Sequence, residues 1–165
     1  MTVEILVDGE GADALKSPPL LVELGALGEA LETEPFDGIR AGQTVSLADV
    51  VKEIHKALNE GDPAYYVVPG SQPLVAQELL LFENSGTDDL EDVVDSTYAT
   101  GRLSVRLPFR DAIEFVPFLE ALPDRARGVL SSAASVSAVG NLPIIVKTMA
   151  EVMAGVFTSY ALALL

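Results

Sequence analysis

An α+β fold, in which a small sheet is covered by amphipathic helices, is what this sequence predicts, and three observations lead there. Two segments, TVEILVD at the start and GRLSVRLP past the middle, alternate apolar and polar residues with the period of a half-buried strand. Around them lie longer segments whose leucines, valines and phenylalanines recur every three or four residues, the period of a helix with one apolar face. A length of 165 residues suits one domain with a core of its own. Strands separated by such helices bury their apolar faces against each other as layers.

In the first strand Val3, Ile5 and Val7 share one face, with Glu4 and Asp8 among the other. A loop with Gly9 and Gly11 follows. Ser17 before Pro18 is a helix start, because proline is tolerated where the first N–H groups have no partner. Leu20, Leu24, Leu27 and Leu31 then define a helix over residues 18–34, with Glu23, Glu29 and Glu32 left for solvent. After the turn FDGIRAGQ, residues 39–45 hold room for a short strand. Ser46 and Asp49 have the spacing of a capping box, and Val50, Val51, Ile54 and Leu58 mark a second helix that ends before Gly61.

The segment GDPAYYVVPGSQPLVAQELLLFENSGTDDLEDVVD is the most individual part of the chain. Its Gly-Asp-Pro and Pro-Gly-Ser triplets are turns that bracket a short aromatic piece. Residues 73–82 read as a helix with Val75, Leu79 and Phe82 inward, and Asp88 with Glu91 starts another short helix. In the second strand, residues 101–108, Leu103, Val105 and Leu107 face in while Arg102, Ser104 and Arg106 face out. Phe115, Phe118, Leu119 and Leu122 place a helix over residues 110–122. The small residues of 129–140 read as a third strand leading to a turn at Gly140 and Asn141.

Hydropathy changes sharply near the C-terminus. Residues 152–165 (VMAGVFTSYALALL) carry no charge and are apolar on every face of a helix. The helical reading extends back to residue 142, a length of roughly 36 Å at about 1.5 Å per residue, interrupted by Lys147 and Glu151. A membrane span needs about 20 apolar residues, so residues 142–165 read as an amphipathic lead-in and the start of a transmembrane helix. Residues 1–141 form the water-facing domain. A helix docked on its own domain is the alternative.

Charge narrows the partners. The chain carries 25 acidic against 10 basic residues, a net charge of −15, which repels nucleic-acid phosphates. The absence of cysteine removes disulfides and thiolate metal sites. No signal peptide opens the chain, since residues 2–8 alternate as a strand.

Candidate chemistry is sparse. His55 is the only histidine and reads as a helix-surface or boundary residue. The cluster Asp88, Asp89, Glu91, Asp92 and Asp95 lacks the spacing of a calcium loop and reads as carboxylates gathered at a helix N-terminus. Ser131, Ser132 and Ser135 have no nearby base, and no nucleophile elbow, dinucleotide fingerprint or phosphate loop occurs. Tyr65 and Tyr66 are weak candidates for lining a lipid-facing cleft; packing of their own loop is the competing reading. Arg102, Arg106 and Arg110 either form a positive stripe or offset nearby carboxylates. No catalytic residue, metal ligand or cofactor site is expected.

Three segments carry a resemblance: TVEILVD, then SLADVVKEIHKALNEGDPAYYVVPGSQPLVAQELLLFENSGTDDLEDVVDSTYATGRLSVRLP, and VSAVGNLPIIVKTM before the apolar helix. In their order the chain resembles the extracytoplasmic loop domain of RND-superfamily exporters of the MMPL-like branch. The resemblance implies a porter-like domain, incomplete at its N-terminus, within a proton-driven inner-membrane exporter. It implies residues 1–141 in the periplasm, membrane attachment through 142–165, a lipid-like or hydrophobic substrate, and homo-oligomers formed through membrane helices. The proton-relay acids of that family lie in membrane helices, so none is assigned here. A freestanding acidic interaction module with a docked C-terminal helix is the other reading.

Overall fold

Alternating residues do pair as strands, and the helices fall between them. The computed structural model describes residues 1–86, 90–131, 133 and 135–163. In chain order the elements are β1 (Thr2–Asp8), α1 (Pro18–Thr33), β2 (Gln43–Val45), α2 (Leu47–Leu58), α3 (Gln72–Glu83), β3 (Thr100–Arg106), α4 (Val116–Val129), β4 (Ser135–Val139) and α5 (Asn141–Ala163), with short 3₁₀ turns at Ala14–Lys16, Pro63–Tyr65 and Ala112–Phe115. The fold is α+β, with a four-stranded sheet in the order β2-β3-β1-β4, each neighbouring pair antiparallel.

This order interlocks two split β-α-β units. β1 and β2, joined through α1, flank β3; β3 and β4, joined through α4, flank β1. That is the ferredoxin-like arrangement, with α2 and α3 inserted between β2 and β3. Register places Val3 opposite Val105, Ile5 opposite Leu103 and Val7 opposite Gly101. Their shared face is buried, and Leu20, Leu24, Leu27 and Leu31 of α1 and Phe118, Leu122 and Ala126 of α4 belong to the same core. Gly101 has a packing reason: a Cβ there would lie 2.8 Å from Cδ1 of the buried Leu15.

Several expectations shift by physical causes. Glu32, expected in solvent, accepts hydrogen bonds from the Thr44 amide and, at 2.8 Å, from Thr44 Oγ1, tying α1 to β2. The helix expected over 110–122 is a 3₁₀ turn at Ala112–Phe115 followed by α4, which runs on to Val129. Pro117 sits in the first turn of α4, where its missing N–H leaves no helical hydrogen bond unmade. At the other end the apolar series 118, 122, 126 continues through Ala126, whose small side chain gives a weak periodic signal. The third strand is correspondingly shorter, β4, and pairs with β1. Of the short helix expected from Asp88, Asp88 and Asp89 lie outside the described residues; Leu90 to Val93 form turns, and Val94 bridges to Gly101.

The C-terminal helix is continuous, as the hydropathy predicts, and its two halves differ. The inner half contacts the Ala112–Phe115 turn, β1 and β4, and Val146 is buried. Beyond Ala150 every residue from 151 to 160 is exposed, with Phe157 and Tyr160 each 70% accessible. No helix among the described residues is long and apolar enough to cross a membrane. Where the start of a transmembrane helix is expected, at 142–165, the structure shows one helix over Asn141–Ala163 that carries Lys147 and Glu151 and is exposed from 151 to 160. Leu164 and Leu165 lie outside the described residues.

Candidate functional site

The insertion between β2 and β3 holds most of the unusual chemistry of the chain. Helix α2 begins at the expected capping box, where Asp49 Oδ2 accepts from the Ser46 amide at 3.0 Å and from its hydroxyl at 2.9 Å. Leu47, Ala48, Val51 and Ile54 are buried, which fixes the rotation of the helix. That rotation leaves Val50 half-buried and Leu58 53% exposed, on a shoulder rather than in the core. Helix α3 packs beside α2 through Val75 and Leu79 and leaves Leu81 52% exposed.

Between these two helices and Val45 of the edge strand lies a groove of about 660 Å³. Val50, Ile54, Leu58, Leu81 and Phe82 make most of its apolar lining; its polar margin is Asp49, Glu53 and Ser85. A volume in this range suits a small ligand, and an apolar lining with few polar groups recognises apolar area first. Among the described residues two carboxylates line the groove, and no lysine, arginine or histidine does.

On the other side of α2 sits a polar cluster that joins the same two helices. His55 Nδ1 lies 2.7 Å from Glu78 Oε1. Glu78 is only 4% exposed, and its Oε2 is buried without a hydrogen-bond partner. The turn at Glu60 and Gly61, both with positive φ, returns the chain onto α2, and the Asp62 carboxylate caps the following 3₁₀ turn by accepting from the Ala64 amide at 2.9 Å.

The two tyrosines predicted as weak cleft candidates come down here. Tyr65 packs edge-on against His55, with centroids 5.6 Å apart. Tyr66 lies under Lys52 and Lys56, at 5.8 and 5.2 Å from its ring. Burial, then the nearby Asp49 and Glu53, push the Tyr66 phenol upward from its ordinary pKa. Their α2 neighbours, residues 52, 55 and 56, fall on the face of the helix roughly opposite residues 50, 54 and 58. Tyr65 is brought against His55 and Tyr66 against Lys52 and Lys56, and neither tyrosine lines the groove.

His55 thus bridges two helices rather than standing alone at a surface. Sequence reasoning missed Glu78 because it is 23 positions away; the available signal was its place on the inward stripe with Val75, Leu79 and Phe82.

The acidic segment after α3 is organised by its last carboxylate. Asp95 accepts from the amides of Thr97, Ala99 and Thr100 and from the Thr97 hydroxyl. Burial raises its pKa, yet the Thr97 hydroxyl and these amides together outweigh burial and hold the carboxyl below its ordinary value. Tyr98, nearby, donates to Glu83 at 2.7 Å and lies beneath Lys16; burial first, and that hydrogen bond second, push its phenol strongly upward. Among the described residues no group of acids and histidines is placed to hold a metal ion.

Arg102 pairs with Glu4 at 3.4 Å and Arg110 with Glu114 at 3.2 Å, the offsetting of carboxylates foreseen for the arginines. Ser131 donates to Glu23 and Ser135 to Asp8. What the geometry offers chemically is apolar binding, beside a helix pair braced by a half-buried histidine and a buried carboxylate. Comparison with protein-family models, with curated proteins and with solved structures returned no match.

Proposed function

We propose that this chain is an extracytoplasmic, porter-like domain of an RND-type exporter of the MMPL-like branch, lying in the periplasm and guiding lipid-like or hydrophobic substrates from the inner membrane. The observation that carries the reading is the outer half of α5, an uncharged helix whose apolar residues find no cover on the domain. From residue 152 to 163 it runs about 18 Å, part of the roughly 30 Å that a span requires. In this reading it begins a membrane helix, homo-oligomers form through such helices, and the groove beside α2 receives the substrate. Proton coupling belongs to the membrane helices, and the domain contributes binding and rigid-body motion.

Flotation with phosphatidylcholine vesicles tests the membrane half of the proposal. The protein is expected to float with the vesicles, and the double variant Phe157→Asp, Leu162→Asp to stay in the aqueous fraction with unchanged far-UV circular dichroism. A wild-type chain that stays aqueous overturns the reading. In the gene, the reading requires neighbouring apolar segments of about 20 residues; a frame without any contradicts it.

One observation favours the freestanding interaction module: the inner half of α5 docks on the domain and buries Val146. The two readings part at residues 152–165. A module that uses this helix as structure loses stability when they are removed, whereas a membrane-seated domain keeps its fold.

A further inference from the structure

We infer that the groove between α2 and α3 selects amphiphiles with a positively charged headgroup over neutral and anionic ones of the same chain length. The inference rests on the reading of this groove as the substrate site and adds its charge preference. Its floor, Ile54, Leu58, Leu81 and Phe82, offers an apolar bed for an alkyl chain. Its margin holds Asp49 and Glu53, and among the described residues no lysine, arginine or histidine lines it.

The lysines nearest in sequence do not close the site. Lys52 and Lys56 extend over Tyr66 and do not line the groove. Lys56 reaches Glu53 at 2.6 Å and Lys52 reaches Asp49 at 3.5 Å, but pairs of this kind, three residues apart on a helix surface, are weak and exchange partners readily. Glu53 can therefore turn to a ligand headgroup. Asp49, held by the Ser46 cap, keeps its charge fixed at the mouth. A single-chain ammonium amphiphile satisfies both surfaces at once. An anionic head meets two like charges.

Binding of dodecyltrimethylammonium, dodecyl maltoside and dodecyl sulfate, each below its micelle concentration, is the test, followed by calorimetry. At about 0.15 M salt the Debye length is about 8 Å, so the net charge of the distant surface is screened and local carboxylates decide. The cationic probe is expected to bind about tenfold tighter than the neutral one, and the anionic probe most weakly. Glu53→Gln should narrow the cationic advantage about threefold and leave the neutral probe unchanged. Leu58→Ser with Leu81→Ser, both at exposed positions, should abolish binding of all three without unfolding.

Equal affinity for the three probes, with the Leu58 and Leu81 variant still losing them, overturns the charge preference and leaves the groove as the site. Binding that survives that variant, or no binding of any probe, overturns both. A cationic advantage untouched by Glu53→Gln and by the leucine changes marks diffuse charge and defeats the inference. A dimer that covers the groove in sedimentation defeats it as well.

Discussion

Replacing His55 by alanine should cost the domain far more than an isolated surface histidine would. The side chain is 13% exposed, that of its partner Glu78 5%, and the two meet at 2.7 Å. Removing the imidazole leaves a buried carboxylate with one oxygen newly orphaned and the other, Oε2, already without a partner. Breaking a buried hydrogen bond and leaving the carboxyl unsatisfied in this way costs roughly 3 kcal/mol, and losing the edge-on Tyr65 contact adds about 0.5 to 1 kcal/mol. For a chain of this size that lowers Tm by about 7–16 °C. Replacing both partners, His55→Leu with Glu78→Leu, removes the orphaned carboxyl together with its cause, and should recover stability to within about 1 kcal/mol of the parent. Urea unfolding followed by circular dichroism measures both. A single variant that loses less than 1 kcal/mol, or a double variant less stable than the single, refutes the idea that this pair braces α2 against α3.

Other consequences are as direct. Asp95→Ala removes an acceptor of several hydrogen bonds and should cost about 2 kcal/mol at neutral pH. Because the folded state holds the Asp95 carboxyl below its ordinary value, its contribution is present above that ordinary value and fades as pH falls through the lower, folded one; parent and variant unfolding curves should therefore converge in acid. Gly101→Ala drives a Cβ into Leu15 and should destabilise by about 1–3 kcal/mol. Gly25→Ala, in the middle of α1, meets the flexible end of Lys52 at 2.9 Å and the Ala48 Cβ at an ordinary 3.7 Å and should stabilise by about 0.5–1 kcal/mol through helix propensity. Thermal melts distinguish the opposite signs of these two changes. Removing residues 152–165 should leave the unfolding midpoint of the domain unchanged, since residues 151–160 are all exposed.

Local pattern made part of this architecture legible. The two alternating strands, the leucine stripe of α1 and the Ser46 capping box are each encoded within a few residues, and each is present as expected. Strand order was out of reach, because nothing local says that β3 inserts between β2 and β1. The full length of α4 was hidden by Ala126, too small to mark a periodic stripe, and by Pro123, which reads as a helix stop although the helix continues through it. The candidate site was harder still. Periodicity put Val50 and Leu58 on an apolar stripe but does not tell core from groove; only the packing of α3 beside α2 decides that. His55 looked solitary because its partner is on another helix.

The account turns on whether the outer half of α5 seats in a bilayer. The chain has no cysteine, so Phe157→Cys carries a nitroxide at a single, exposed position. Electron paramagnetic resonance of that label with phosphatidylcholine vesicles, relaxed by oxygen in one sample and by a water-soluble nickel chelate in another, measures its depth directly. The account predicts high oxygen accessibility and little relaxation by the chelate once vesicles are added. A label that remains as accessible to the chelate as it is without vesicles contradicts it.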